Sequence, residues 1–271
     1  MLLSFLKSLF SARAVRGAGD ELPVTRARRI KQAHTAAPIA EHLRIAFGDM
    51  RMGNEEMLAW VRGSLAGAET LVDPLKALHR PLAAYFLARY FLHALRLEGA
   101  LAECGVYQGA SALALCRAAR AHDAGFTGAR FHLFDSFAGL AAPSAADMVS
   151  LPGGERAAVA PGSLAADEAT ARKALAEFPQ ARFHKGWIPQ VFGELPEARW
   201  AFVHVDVDFH DATLACLEYF YPKLVPGGVM LCDDYGSAWF PGAFRAWDRY
   251  CEEHSVPFVV LDTGQAVILK S

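Results

Sequence analysis

From about residue 99 onward, short unbroken apolar runs alternate with longer segments of helical spacing. A strand that is apolar on both faces must be covered on both, and strand–helix alternation provides that cover around a mostly parallel sheet. The strands read as GALAECG, ARFHLFDSF, ARFHKGW, WAFVHVDVD and GVMLCDDY, and the helices between them as ASALALCRAARAH, DEATARKALAEF and ATLACLEYFYPKL. The last helix is predicted to stop at Pro226 and a turn at Gly227-Gly228. After a further helix, GAFRAWDRYCEEH, the segments VPFVVLD and QAVILK flank Thr263-Gly264 and predict a terminal antiparallel hairpin. The expected fold is α/β, a doubly wound, Rossmann-like sheet with an antiparallel C-terminal strand.

Residues 1–78 lack this alternation and read as a helical region for substrate or oligomer contacts, with residues 79–271 as the main domain. Leu2, Leu3, Leu6, Leu9 and Phe10 share a helical face near Lys7, Arg13 and Arg16. That face suits packing against the domain or a second copy, and hence a homo-oligomer; it also suits peripheral contact of residues 1–16 with a membrane surface. It does not suit a signal peptide, whose basic residues precede the apolar stretch. A long apolar helix is expected to start near Pro81. Residues 138–166 are rich in Ala, Gly, Pro and Ser, and a loop of that length after a strand end reads as a lid over a ligand crevice.

Composition narrows the partners. A net charge of −2 offers no general attraction for nucleic acid. The five cysteines are odd in number and widely spaced, which fits reduced thiols in a cytoplasmic protein better than disulfides or a zinc site.

In a doubly wound sheet ligands bind beyond the carboxyl ends of the strands, and the unusual residues of this chain fall there. The first strand runs into Glu103-Cys-Gly105-Val-Tyr107-Gln-Gly109-Ala-Ser111, a glycine turn opening a helix. The second ends at Asp135-Ser136, where a carboxylate suits the vicinal hydroxyls of a ribose as well as a loop cap. Asp206 and Asp208 leave the fourth strand, and Asp233 and Asp234 leave the fifth. Clustered carboxylates repel one another, and a hard divalent cation with oxygen ligands, Mg²⁺ or Mn²⁺, resolves the conflict. His204 lies inside the apolar run and reads as a core residue; His210 is nearer the site, as a substrate contact, a supporting partner or an auxiliary base.

The segments AECGVYQGAS, LFDSFAGL, HVDVDFHDATLACLEYFYPKLVPGGVMLCDDYG and PGAFRAWDRY resemble the macrocin O-methyltransferases, metal-dependent enzymes that methylate sugar hydroxyls from S-adenosylmethionine. The resemblance runs from about Arg80 to the C-terminus and implies a class I methyltransferase sheet. It further implies that Glu103, Gly105 and Gly109 border the methionine part of the cofactor and that Asp135 holds its ribose. Tyr107, Ser111 and Ser136 would line the same crevice, and Gly186 and Trp187 would flank the adenine. Asp206, Asp233 and Asp234 would hold the metal, with Asp208 as general base and His210 standing where relatives often carry a tyrosine. The acceptor would be a sugar or glycan with vicinal hydroxyls, chelated by the metal. Two alternatives stay open: a catechol-like or other non-sugar diol as acceptor, or a metal-dependent hydrolase on the same sheet.

Overall fold

The computed structural model describes residues 81–271 apart from 151–153 and 196. The expectations for residues 1–78 therefore lie outside the described residues. The described residues open with α1 (Pro81–Ala94), then β1 (Ala100–Cys104), α2 (Ala110–His122) and β2 (Phe131–Asp135). A short hairpin of β3 (Val149–Ser150) and β4 (Arg156–Ala157) sits within the long loop. It is followed by α3 (Glu168–Ala174), β5 (Arg182–Lys185), β6 (Trp200–Val205) and α4 (His210–Phe220). The remainder is β7 (Leu224–Cys232), α5 (Pro241–Glu253), β8 (Val259–Val260) and β9 (Ala266–Leu269).

Seven of these strands form one sheet in the order β5-β2-β1-β6-β7-β9-β8, parallel except for β9, which runs antiparallel to both neighbours. The order reverses between β1 and β6, and that switch point sets the ligand crevice. Period-2 alternation divides the core in two. Leu101, Phe131, Leu133, Phe202 and Leu231 face α1, α2 and α3, while Ala102, Phe134, Val203, Val205 and Met230 face α4 and α5. No helix among the described residues is long and apolar enough to cross a membrane. All five cysteines are free and buried.

Three element boundaries differ from expectation. The helix through ATLACLEYF ends at Phe220, and Tyr221-Pro222-Lys223 forms a tight 3-10 turn. Pro226, Gly227 and Gly228 lie inside β7, where the pairing jumps from Trp200–Leu224 to Phe202–Val229. They form a bulge, a site where a strand tolerates proline. Lys270 serves both sides of it: its carbonyl accepts from Gly227 N–H at 2.7 Å, and its N–H donates to Gly228 O at 2.9 Å. The segment after α3 is also shorter in helix than its apolar spacing suggests, because Ala176 and Phe178 donate three residues back and tighten the end.

Arg130 fastens α1 to the sheet. Its guanidinium donates to Leu95 O at 3.0 Å, Leu97 O at 2.8 Å and Gly99 O at 2.9 Å. Three converging carbonyls suit a planar fork and not a single ammonium. Arg130→Ala should lower unfolding stability by about 2–3 kcal/mol in urea titration, and Arg130→Lys should restore less than half of that.

Candidate active site

The crevice begins with a close backbone approach. After β1, Gly105 adopts φ +91°, and a Cβ there would lie 1.8 Å from the carbonyl oxygen of Asp206. Asp206 N–H in turn donates to Cys104 O at 2.8 Å. Only glycine permits this contact, and it ties the turn after β1 to the first aspartate after β6. Gly109, at φ +86°, ends the turn at the start of α2 and packs against the backbone of α3 at Ala171. Tyr107 projects from the turn with 36% of its surface exposed.

Asp135 stands at the end of β2 and organises that turn. Its Oδ2 accepts the N–H groups of Val106 (2.8 Å) and Tyr107 (2.7 Å), and its Oδ1 accepts that of Phe137 (2.7 Å). A carboxylate has about four acceptor positions, so one remains on Oδ1 for a ribose hydroxyl. The Oγ of Ser136 is engaged within its own loop, accepting from Ala138 N–H at 3.1 Å. Ser111 lies in the first turn of α2. Across β2, Gly186 N–H donates to Asp135 O at 3.0 Å, and the next residue, Trp187, is 44% exposed. A glycine-lined turn, an acid with capacity to spare and an exposed indole fit an adenosyl cofactor.

Glu103 lies below this surface. It is fully buried and pairs with His204 Nδ1 through Oε1 at 3.0 Å. It therefore supports the crevice from beneath. Burial pushes the Glu103 carboxyl up, against the pull of His204. His204 is the core residue expected, but it is also an electrostatic hub. Burial opposes its charge, yet Asp233 (3.9 Å from Nε2), Glu103 and Asp206 together raise it to about 10. At 3.9 Å the contact with Asp233 is an ion pair and not a hydrogen bond.

Of the four aspartates beyond β6 and β7, Asp206, Asp233 and Asp234 were expected to converge on a metal, with Asp208 as general base. The structure gathers three of the four: oxygens of Asp206, Asp208 and Asp234 lie within 4.8 Å of one another. Asp208 and Asp234 are almost fully buried. Asp233, expected beside Asp234 as a metal ligand, instead accepts from Gln265 Nε2 at 2.8 Å, because consecutive residues leaving a strand point to opposite sides. Three acidic side chains with only oxygen donors fit a hard divalent cation. Asp208, at φ +62°, is the centre of a three-residue turn in which Phe209 N–H donates to Val207 O at 2.6 Å. Such turns are rare and strained. His210 opens α4 with its ring Nδ1 2.7 Å from Asp211 Oδ1.

Several site residues had no counterpart among the expectations. Asp147, from the long loop, accepts the backbone N–H of His210 at 2.7 Å. Tyr235 donates its hydroxyl to Asp248 on α5 at 2.7 Å, holding the segment that carries Asp233 and Asp234. Gly236 packs on Gly264, where a Cβ would meet backbone at 2.7 Å. The long loop itself is pinched at its neck: Leu140 and Ser163 are joined by Leu140 N–H to Ser163 O at 2.8 Å, and Gly162 N–H meets Leu140 O at 2.8 Å.

Comparison with known proteins bears on this geometry. A family model described as macrocin-O-methyltransferase (TylF) matches residues 92–267. An 8-demethyl-8-(2,3-dimethoxy-alpha-L-rhamnosyl)-tetracenomycin-C 4'-O-methyltransferase of Streptomyces olivaceus is 32% identical over 143 residues, 51% of this chain and 54% of that protein. A mycinamicin III 3''-O-methyltransferase of Micromonospora griseorubida is 34% identical over 77 residues, 28% of this chain and 29% of that protein. The chain thus spans about half the length of one curated relative and under a third of the other. Among solved structures, the calicheamicin methyltransferase CalS11 superposes with TM-score 0.60 at 18% identity, covering 94% of this chain and 98% of its own. The O-methyltransferase NovP gives 0.57 at 21% identity, covering 71% and 82%. At such identities these two establish the sheet and its helices, a Rossmann-like methyltransferase fold.

Two outcomes follow from the geometry. Gly105→Ala must move either the turn or Asp206, so it should weaken S-adenosylhomocysteine binding at least tenfold by calorimetry and destabilise the fold by roughly 2 kcal/mol. His204 gives a pH signature. Its folded pKa lies above its ordinary 6.5, so its stabilisation of the metal-free protein is complete below 6.5 and is lost as pH rises through about 10. Urea unfolding across that interval should show a larger loss for wild type than for His204→Gln; equal losses would remove the assignment.

Proposed function

Because the chain belongs to the macrocin O-methyltransferase family, we propose that it transfers a methyl group from S-adenosylmethionine to a hydroxyl of a sugar in a glycoside or glycan, with Mg²⁺ or Mn²⁺ bound. The observation that carries this reading is the meeting of Asp206, Asp208 and Asp234 within 4.8 Å, directly beside the Gly105 turn. A cofactor site alone fits any methyltransferase, and a carboxylate cluster alone fits a metal hydrolase. Their contact through Gly105 and Asp206 fits metal-assisted methyl transfer. One curated relative is named for methylation of a tetracenomycin that bears a rhamnosyl group, which favours a sugar over a catechol-like diol.

Each residue then has a task. Asp135 holds the turn after β1 and offers its remaining lone pair to the ribose, while Gly105 and Gly109 let the cofactor's methionine part lie close to backbone. Trp187 and Tyr107 border the adenosine end. Asp206 and Asp234 would hold the cation, whose charge would lower the pKa of an acceptor hydroxyl beside it. Asp208, aimed into the same cluster by its strained turn, takes the proton of that hydroxyl. Asp233 stays with Gln265 and His204 and fixes the course of the chain into Asp234. His210, whose ring is tied to Asp211, faces the acceptor as a contact and not as the base.

The test separates these tasks. Calorimetry should show S-adenosylhomocysteine binding by the wild type, lost in Asp135→Ala, and Mn²⁺ binding lost in Asp234→Asn. Asp208→Asn should keep both ligands and lose turnover by a factor of about 10²–10⁴ on a sugar acceptor found by screening. Loss of Mn²⁺ binding in Asp208→Asn would make Asp208 a ligand and end its assignment as base. Folded wild type that binds no S-adenosylhomocysteine would overturn the methyltransferase reading.

A further inference from the structure

The long loop between β2 and α3 reaches the carboxylate cluster through one buried side chain. Asp147 is 2% exposed. Its Oδ2 accepts both the N–H and the Oγ–H of Ser144 at 2.7 Å, which fixes the carboxylate within its own turn. Its Oδ1 accepts His210 N–H at 2.7 Å. Gly242 makes room for this contact, since a Cβ there would lie 1.9 Å from Oδ1 and 2.6 Å from His210 N. Arg245, one turn further along α5, donates to the carbonyl of Ala146. A loop residue is thus inserted between the starts of two helices and bonded to the first residue of α4.

His210 follows Asp208 by two positions. Between them Phe209 is held on both sides, its N–H by Val207 O at 2.6 Å and its carbonyl by Thr213 N–H at 3.0 Å and Thr213 Oγ–H at 2.9 Å. The strain at Asp208 persists only while its surroundings over-determine it. Upstream, Asp206 N–H is fixed to β1; downstream, the fixed point contributed by a side chain from outside the segment is Asp147. We propose that Asp147 is a positioning residue: by capping α4 it holds the strained turn that aims Asp208 into the cluster, so that seating of the 138–166 loop and placement of that carboxylate are one event. The proposal rests on the functional reading above for what Asp208 does, but not for the clamp itself.

Three variants of the full chain test it: Asp147→Ala, Asp147→Asn, which can still accept from His210 N–H, and Gly242→Ala, which displaces Oδ1 from outside. Amide hydrogen exchange followed on the peptide covering residues 205–213 should be at least tenfold faster in Asp147→Ala and Gly242→Ala, with partial recovery in Asp147→Asn. In the same proteins Mn²⁺ and S-adenosylhomocysteine affinities should each stay within twofold. Turnover should fall at least tenfold in kcat, with KM for S-adenosylmethionine little changed and the order of activities following the order of protection. Folded Asp147→Ala with wild-type exchange in that peptide overturns the clamp. Lost protection with unchanged kcat overturns the positioning role and leaves Asp147 a structural cap. A wild type that takes up no Mn²⁺ overturns the metal reading, whereas faster exchange in Asp147→Ala still supports the clamp.

Discussion

Like charges crowd the carboxyl ends of β6 and β7, and the structure around them is arranged to keep that crowding tolerable. Two carboxylates about 5 Å apart repel by roughly 3 kcal/mol at an effective dielectric near 20, and three in mutual reach make three such pairs. The fold divides the load by direction. Asp233 is turned to the α1–α3 side, where Gln265 donates to it and His204 brings positive charge, itself balanced by Glu103. Asp206, Asp208 and Asp234 are left together, with one oxygen of each within 4.8 Å of the others. The side of the sheet end that holds His204 is structural, and the side where the three acids gather is the one the proposed cation would occupy.

Helix α5 does more of this work than its distance in sequence suggests. Its first turn supplies Gly242, which admits Asp147, and the next supplies Arg245, which binds the loop carbonyl at Ala146. A later turn supplies Asp248, which takes the Tyr235 hydroxyl. The helix also packs its buried face, Ala243, Ala246, Trp247 and Tyr250, against the core shared with α4. One rigid element therefore braces the chain after β7, the start of α4 and the long loop, so that carboxylates from two strands keep a common geometry.

The sheet was legible in the sequence because its signal is periodic and local. Apolar runs such as WAFVHV have no other stable home than a buried strand, and the glycine turn and aspartates could be placed at strand ends by counting. Where several local signals compete, tertiary context decided. Pro226-Gly227-Gly228 has the composition of a turn, but pairing of Lys270 with Gly227 and Gly228 draws it into β7 as a bulge. Alternation requires that Asp233 and Asp234 point to opposite sides, but that Asp233 meets Gln265, 32 residues away, is a contact no spacing reveals. Asp147 was equally hidden. The local trace of it is the Ser144–Asp147 capping pattern, and that pattern says only that a turn begins there, not that its free oxygen meets α4.

The long loop is held differently from the strands. A loop without apolar periodicity has no core of its own, so it is ordered by a few specific bonds to elements already in place. Here those are the pinch between Leu140 and Gly162–Ser163, the Asp147 bond to α4 and the Arg245 bond from α5. Few bonds carry little free energy individually, about 0.5–1.5 kcal/mol net each for neutral pairs and more where a charge takes part. A segment held this way opens at lower cost than the sheet it rests on. Asp147 of that loop accepts the N–H of His210, two residues from Asp208, so one of the bonds that order the loop is also a bond to the strained turn of the site.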